Sequence, residues 1–362
     1  MPGNKNLHRA KKAKNDEFYT QYADIEKEMN AYLEYDPDVF RDKIILLPCD
    51  DPEWSNFTKY FAQNFDRFGI KKLISTSYAA DSKPDDIVYQ PTLFEMDSPK
   101  YDEKKTRSHG KIFILERDKN KDKKIDINDL EWNYLKGDGD FRCEEIKKIR
   151  NEADIIVTHP PFSMFREFLM WVIDGKKKFA MIGSMNAITY KEVFPLIKNN
   201  KIWLGNGFSH GNAYFRIPKE AKTSYASGVF DEKTNLVKFR NCCWYTNIDH
   251  GRRHQPLKLM LMSDNLRYNK KLIKKLKDEY GVNTYPKYDN YDVIEVPYTD
   301  AIPSDYKEGM GVPISFLDRF CPDQFEIIWL DGPDQAKWYG SGPSLNGKKV
   351  YRRIFIKHKE AK

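Results

Sequence analysis

The chain has 362 residues, 40% of them hydrophobic and 14% aromatic, enough for a large α/β domain with a second region. No apolar run approaches the roughly 18–20 residues of a membrane span, which excludes a helical membrane protein, and the basic start MPGNKNLHRAKKAK lacks the apolar core of a secretory signal. The net charge of +7 suits a nucleic-acid partner without requiring one, and five cysteines (Cys49, Cys143, Cys242, Cys243, Cys321) with no CxxC pair argue against structural zinc and for reduced thiols in a cytoplasm.

In chain order, a basic lead runs into DEFYTQY at residues 16–22, and residues 24–35 read as a helix. Residues 43–50, KIILLPCD, form a nearly continuous apolar run of the kind expected for a buried parallel strand. A helix over 55–68 follows, with Phe57, Tyr60, Phe61, Phe65 and Phe68 at helical spacing and Gly69 as its stop. Residues 72–78 predict a second strand. Residues 79–133 read as a polar excursion containing one strand at 111–116. Residues 133–136 return to a strand pattern that ends in the turn GDGDF at 137–141. A short helix (143–150), a strand (153–158), a helix (163–173), a strand (178–183), a helix (190–198) and a strand (201–204) complete the alternation.

Strands alternating with helices across short connections imply a mostly parallel sheet covered on both faces. Ligands of such sheets sit beyond the carboxyl ends of the strands, near the topological switch point. Here those ends carry residues 49–51, 75–78, 137–141 and 159–162. After Gly205 the alternation gives way to Gly, Pro, aromatic and basic stretches, interrupted by a Lys-rich amphipathic helix at about 269–280. The expected division is therefore 1–204 for the sheet domain, with an insertion at about 79–133, and 205–362 for a recognition region.

Residues 157–162, VTHPPF, place two prolines and an aromatic directly behind an apolar strand. Two prolines hold the backbone extended and rigid, so the turn can present carbonyl oxygens into a cleft while Phe162 offers a ring face to a planar base. An exocyclic amine needs acceptors for both of its hydrogens if its lone pair is to be aimed at an electrophilic methyl group.

This turn resembles the D/N-P-P-F/Y motif of the amino-methyltransferases, in which the first side chain and the first proline carbonyl accept the two N–H bonds and the aromatic stacks on the flipped base. DEFYTQY resembles the segment of those enzymes that meets the methionine part of the donor, GDGDF the Asp–Phe pair that serves the donor's adenine, and LLPCDDPEWSNF stands where a glycine-rich loop is usual. The order of these segments matches the gamma group. The runs KAKNDEFYTQY, CDDPEWSNFTKYFA, GDGDFR, FSMFRE, ITYKEVFPLIKNNKIWLG, YPKYDNYD and GVPISFL are similar to the EcoRI-type adenine methyltransferases over most of the chain.

The resemblance implies a Rossmann-like S-adenosylmethionine-dependent sheet, followed by a DNA-recognition region. It implies transfer of a methyl group from S-adenosyl-L-methionine to adenine N6 in double-stranded DNA with base flipping, and a cognate restriction endonuclease acting on the same site as a candidate partner. Carried over residue by residue, the catalytic group is His159, Pro160, Pro161 and Phe162, and the donor site Phe18, Tyr19, Thr20, Cys49, Asp50, Ser77, Asp140 and Phe141. Two positions depart from the pattern: the glycines are missing near Cys49, and His159 stands where Asn or Asp is usual. Neutral imidazole offers one acceptor nitrogen and imidazolium none, so weakened transfer is expected. The alternative is a protein of the same fold that binds DNA and donor but no longer transfers.

Residues 118–129, DKNKDKKIDIND, space oxygen ligands like a calcium loop, but Lys123 stands where the invariant glycine belongs and the lysines of the loop oppose a cation; no metal is expected. In the C-terminal region Arg252, Arg253, Arg352 and Arg353 are candidate phosphate or guanine contacts, and Tyr214, Trp244 and Tyr245 candidate flanking aromatics. His210, His250 and His254 read as surface-loop residues.

Overall fold

A computed structural model describes residues 19–49, 55–79, 98–119, 125, 129–208, 212–217, 229–330 and 342–359. Phe18, Asp50, His210 and most of the calcium-like loop lie outside the described residues.

The described elements run β1 (Tyr19–Thr20), α1 (Tyr22–Tyr35), β2 (Ile44–Leu47), α2 (Asn56–Gln63), α3 (Phe65–Phe68), β3 (Lys72–Ser77), α4 (Glu103–Ser108), β4 (Lys111–Leu115), β5 (Glu131–Tyr134), α5 (Glu144–Glu152), β6 (Ile155–Thr158), α6 (Phe165–Asp174), β7 (Lys178–Ser184), α7 (Phe194–Lys198) and β8 (Trp203–Leu204). Then come β9 (Ala213–Arg216), β10 (Phe230–Asp231), β11 (Leu236–Phe239), β12 (Cys242–Thr246), α8 (Met262–Tyr268), α9 (Lys270–Lys275), β13 (Ile294–Glu295), β14 (Met310–Pro313), β15 (Phe325–Leu330), β16 (Ser344–Leu345), β17 (Lys348–Lys349) and β18 (Arg353–His358).

The chain forms two compact units, Met1–Ala187 with Gly205–Asp249, and Ile188–Leu204 with His250–Lys362. The division predicted at 204/205 differs from this: the segment Gly205–Asp249 clusters with the first unit, because β12 returns to its sheet.

In the first unit, seven strands make one sheet in the order β5-β4-β3-β2-β6-β7-β12. The central pairs β3–β2, β2–β6 and β6–β7 are parallel, as their unbroken apolar runs predict. The flanks differ from the expectation. Residues predicted as an excursion supply β4 and β5, an antiparallel pair on the β3 side, and β12 lies antiparallel to β7. Antiparallel pairing does not require the crossover helix that a parallel strand needs, so such strands can enter a sheet without the alternation that announces them. A second small sheet, β1-β9-β11-β10, joins the first strand of the unit to its last segment.

Local signals explain how these elements are placed. Ser55 caps α2 by accepting from Phe57 N at 3.0 Å, and Gly69 closes α3 with φ 64°. The helical stripe predicted over 55–68 packs Phe61 and Phe68 edge-on or tilted against Phe40, with ring centroids at 5.5 and 5.6 Å. Each such ring contributes about 1.5–3 kcal/mol on burial. Glu28, fully buried on α1, accepts from Tyr32 Oη at 2.6 Å and from the amides of Asn206 and Gly207 at 2.9 Å each, which ties the turn after residue 204 to α1.

The second unit is a four-stranded sheet, β13-β14-β18-β15, with a β16–β17 hairpin. On the edge strand β13, Glu295, fully buried, receives Arg353 Nη2 at 2.6 Å, Tyr280 Oη at 3.1 Å and the hydroxyl of Tyr288. No helix among the described residues is long and apolar enough to cross a membrane.

Candidate active site

The four central strands of the first sheet set the frame. β2 is flanked by β3 on one side and β6 on the other, so the chain's winding reverses at β2/β6, and the carboxyl ends of these strands border the crevice where ligands of such sheets bind. Thr158, the last residue of β6, donates from Oγ1 to the Pro48 carbonyl at 2.7 Å, which fastens the end of β6 to the end of β2. Cys49 follows Pro48 with a left-handed φ of 62°, a conformation disfavoured for a residue with a side chain and therefore held by its surroundings.

His159, Pro160, Pro161 and Phe162 leave β6 in an extended turn that closes into a single 3-10 turn before α6. His159 is half-buried. Its ring centroid lies 5.0 Å from Phe162 and 4.7 Å from Phe215, and Phe162 in turn lies 5.7 Å from Phe239. His159 Nδ1 is 3.2 Å from Thr20 Oγ1. Thr20 is paired in register with Phe215 across β1 and β9, and its carbonyl accepts from Asn56 Nδ2 at 2.7 Å. Residues 139 positions apart are thus brought into hydrogen-bond contact.

A second cluster lies at the ends of β3 and β5. Ser77 is buried at the end of β3, and the amide of Ala79 donates to the Asp138 carbonyl at 2.8 Å. Gly139 has φ 87°, and a Cβ there would stand 2.4 Å from the Ser77 carbonyl oxygen, so the GDGDF turn closes against β3 only with glycine at that position. The close approach sets Asp140 beside Tyr78, whose hydroxyl donates to Oδ2 at 2.7 Å. Arg142 donates to Oδ1 from its amide at 2.8 Å and from Nε at 2.9 Å, and its Nη2 reaches Oδ2. Burial would raise the Asp140 carboxyl, but the hydrogen bonds from Arg142 and Tyr78 outweigh it and hold the group at about 2. It is a carboxylate throughout the neutral range. Phe141 packs into the core, 3% exposed, against Phe168 and Trp171 at 5.0 and 5.7 Å, with the Arg142 guanidinium 5.5 Å from its ring centroid.

Of the residues predicted for the site, Thr20, His159 and Phe162 meet directly, Cys49 follows Pro48 where β2 and β6 are fastened, and Ser77 and Asp140 share the neighbouring strand ends. Tyr19 pairs with Arg216 in β1–β9. Sequence reasoning missed Phe215, Phe239, Asn56 and Arg142, and named Tyr78 only within the strand-end stretch 75–78. Phe215 and Phe239 sit in stretches read as a separate recognition region. Ala213–Arg216 alternates buried and exposed residues, but its sequence AYFR carries no apolar–polar alternation that would have signalled it.

The structure corrects several recognition candidates. Trp244 and Tyr245 are fully buried in β12 and belong to the core. Arg253 is 7% exposed, its guanidinium 3.6 Å from the centre of the Trp203 ring and bonded to Asn200. Arg353 is committed to Glu295. His250 is buried and donates from Nε2 to the Leu204 carbonyl at 3.0 Å. Arg352 bonds Thr189. Tyr214 remains exposed, with Lys238 over its ring at 5.7 Å. Among the described residues no group of acidic, His and Cys side chains has the geometry of a metal site.

Comparison with known proteins adds to this geometry. The chain is 42% identical to the type II methyltransferase M.EcoRI of Escherichia coli, over 98% of its own length and 97% of that protein. It is 30% identical to the type II methyltransferase M.MpnI of Mycoplasma pneumoniae, over 98% of each chain. It is also 30% identical to M.MgeORF184P of Mycoplasma genitalium, over 98% and 99%. No solved structure matches significantly. Residues 6–359 match the family model of the adenine-specific methyltransferase EcoRI. The chain belongs to the EcoRI family of adenine-specific methyltransferases.

Proposed function

We propose that this enzyme transfers a methyl group from S-adenosyl-L-methionine to adenine N6 in double-stranded DNA, within a restriction-modification pair whose endonuclease reads the same site. The observation that carries the reading is the junction of Thr20, His159 and Phe162 beside the fastened ends of β2 and β6. It sits at the switch point of the parallel strands, where such sheets bind their ligands.

The chemistry of the donor site fits. Asp140, ionised and only 16% exposed in its side chain, offers an acceptor to the amine or ribose hydroxyls of an adenosyl group. Tyr19 and Thr20, with Cys49, border the place for the methionine part, and Asp50 and Phe18 extend these segments. Phe141 supports the Asp140 turn from the core side. When bound, the donor supplies an electrophilic methyl on a sulfonium.

The target adenine leaves the stack at a cost of a few kcal/mol and lies on Phe162. Its amine is held by His159 and the Pro160 carbonyl, while Pro160 and Pro161 keep the turn rigid. Positioning, and acceptors aimed at the positive charge that builds on the amine, supply the rate enhancement. The stretch 250–362 of the second unit supplies DNA recognition; Lys348, Lys349 and Tyr351, the last 76% exposed, form one basic-aromatic stretch suited to a duplex.

The test is transfer of labelled methyl groups to adenine-containing duplex DNA, with N6-methyladenine read by mass spectrometry. His159→Asn is expected to raise turnover, because a carboxamide oxygen is always an acceptor whereas imidazole accepts at one nitrogen when neutral and at none when protonated. No gain would remove the account of position 159. Tight binding of donor and duplex with no product from the native chain would favour a binding protein that has lost transfer, a reading that His159 itself supports.

A further inference from the structure

The run YPKYDNYD at 285–292 lies in the second unit, outside the site described above. Two of its residues clamp a hairpin. Asp289 Oδ1 accepts the amide of Asn346 at 3.0 Å, and its Oδ2 accepts the amide of Gly347 at 2.9 Å and the hydroxyl of Ser344 at 3.0 Å. The Asp289 amide donates to the Ser344 carbonyl at 2.8 Å. The Asn290 carboxamide accepts from the Ser344 amide at 3.2 Å and donates to the Gly342 carbonyl at 3.1 Å. The Gly347 amide foremost, then the Ser344 hydroxyl and the Asn346 amide, lower the Asp289 carboxyl from its ordinary value.

The clamped segment is β16–β17, whose strands are joined by Asn346 and Gly347 at φ 51° and 74°. Two left-handed residues make the tight turn whose twist matches its strands, but a hairpin this short does not hold its shape alone. Leu345, 6% exposed, anchors it in a cluster with Tyr288 and Phe355, and Val350 packs on the same cluster. The pairing continues from the Val350 amide to the Pro343 carbonyl at 2.8 Å, so alternation sets Lys349 on the face turned from the cluster, with Lys348 beside the turn. Both lysines are exposed. From Gly342 to Lys359 the chain has no acidic residue.

We infer that the β16–β17 hairpin is a preformed grip on two phosphates of a DNA duplex, one for each of Lys348 and Lys349, and that Asp289 is the positioning residue that keeps the grip in shape. A carboxylate near a phosphate contact opposes it by charge. Here both oxygens are taken by donors of the hairpin itself, so what the carboxylate contributes is order. A lysine on an ordered turn loses less freedom on binding than one on a loose loop. Contacts of this kind fix position on the duplex without reading its sequence. The inference rests on the proposed action on duplex DNA.

The test is the affinity of the full-length protein for a fluorescein-labelled duplex of mixed sequence, read by anisotropy across a series of KCl concentrations. Each phosphate neutralised adds about 0.9 to the slope of log Kd against log salt. Lys348→Gln combined with Lys349→Gln is therefore expected to lower the slope by about 1.8 and to leave affinity for S-adenosylmethionine unchanged. Asp289→Ala is expected to weaken duplex binding and lower the slope, although it removes a negative charge. Gly347→Ala, which alters no charge but must hold φ 74°, is expected to act in the same direction. Added to the two lysine substitutions, Asp289→Ala causes little further loss.

An unchanged slope in the lysine variant overturns the inference. So does tighter binding by Asp289→Ala, the result that charge alone predicts, or an equal loss from Asp289→Ala with and without the lysines. If Asp289→Ala does not fold, the lysine variant and Gly347→Ala decide. Binding does not require transfer. If neither the native chain nor His159→Asn yields N6-methyladenine, the proposed activity fails while the salt slopes still judge the hairpin; methylation with an unchanged slope sinks the hairpin alone.

Discussion

Where β5 ends, Asp140 is gripped by a guanidinium, a phenol and a backbone amide; where β6 ends, His159 sits between two phenylalanine rings with a neutral hydroxyl at Nδ1. The first cluster is held by charge, and its key group is pushed far from neutrality. The second is held by shape and by one nitrogen's choice of partner. In the proposed reaction the charged end meets the donor and the aromatic end meets the base. The two sets of forces therefore allow donor binding and base handling to be perturbed separately.

The largest effect is expected where backbone closeness, not chemistry, is attacked. Gly139→Ala must accept both φ 87° and a Cβ against the Ser77 carbonyl. It is expected to cost about 3 kcal/mol or more of stability, with a lower Tm and weaker donor binding measured together by calorimetry. Retained Tm would mean the turn has room that its glycine does not indicate.

Phe162→Ala comes next. Loss of a base-stacking ring is worth about 1–3 kcal/mol, so kcat/KM for duplex DNA is expected to fall about 5- to 150-fold while donor affinity holds. Equal loss in both ligands would erase the distinction between the two ends.

Asp140→Asn is the mirror experiment and the smaller one. Removing a charge-assisted acceptor is expected to weaken donor binding about tenfold and to leave duplex affinity unaltered. Its pH dependence follows from the depressed carboxyl. The charged form, and the stability and binding it contributes, are fully present above the ordinary value of 3.8 and are lost only as the pH falls toward about 2. The ratio of donor affinities between native and Asp140→Asn proteins is therefore expected to be constant from pH 8 to pH 5. A ratio shrinking toward pH 5 would show that Arg142 and Tyr78 do not hold Asp140 as described.

Much of the site was legible because it is written in local runs. The apolar strands KIILL, KLIS, IIVT and KFAMIG, each followed by a turn with chemistry in it, place the strand ends by pattern alone. The stripe ending at Gly69 gave α2 and α3. What escaped was non-local. The pairing of β12 with β7, of β9 with β1, and of Arg353 with Glu295, 58 positions away, leaves no periodic trace. Arginines and aromatics in a basic stretch look alike whether they face DNA or a buried partner; Arg253 on Trp203 and the buried Trp244 are cases in point. The contact of Thr20 with His159 likewise joins two motifs that sequence order separates by most of the first unit.

The central claim is that donor and base meet at the carboxyl ends of β3, β2 and β6. A crystal structure of the protein with S-adenosylhomocysteine and a duplex carrying its target adenine tests this most directly. The account predicts the adenosyl group beside Asp140 and an unstacked adenine on Phe162, its amine within hydrogen-bond reach of His159. An adenosyl group bound away from Asp140, or an extruded base lodged against another surface, would contradict it.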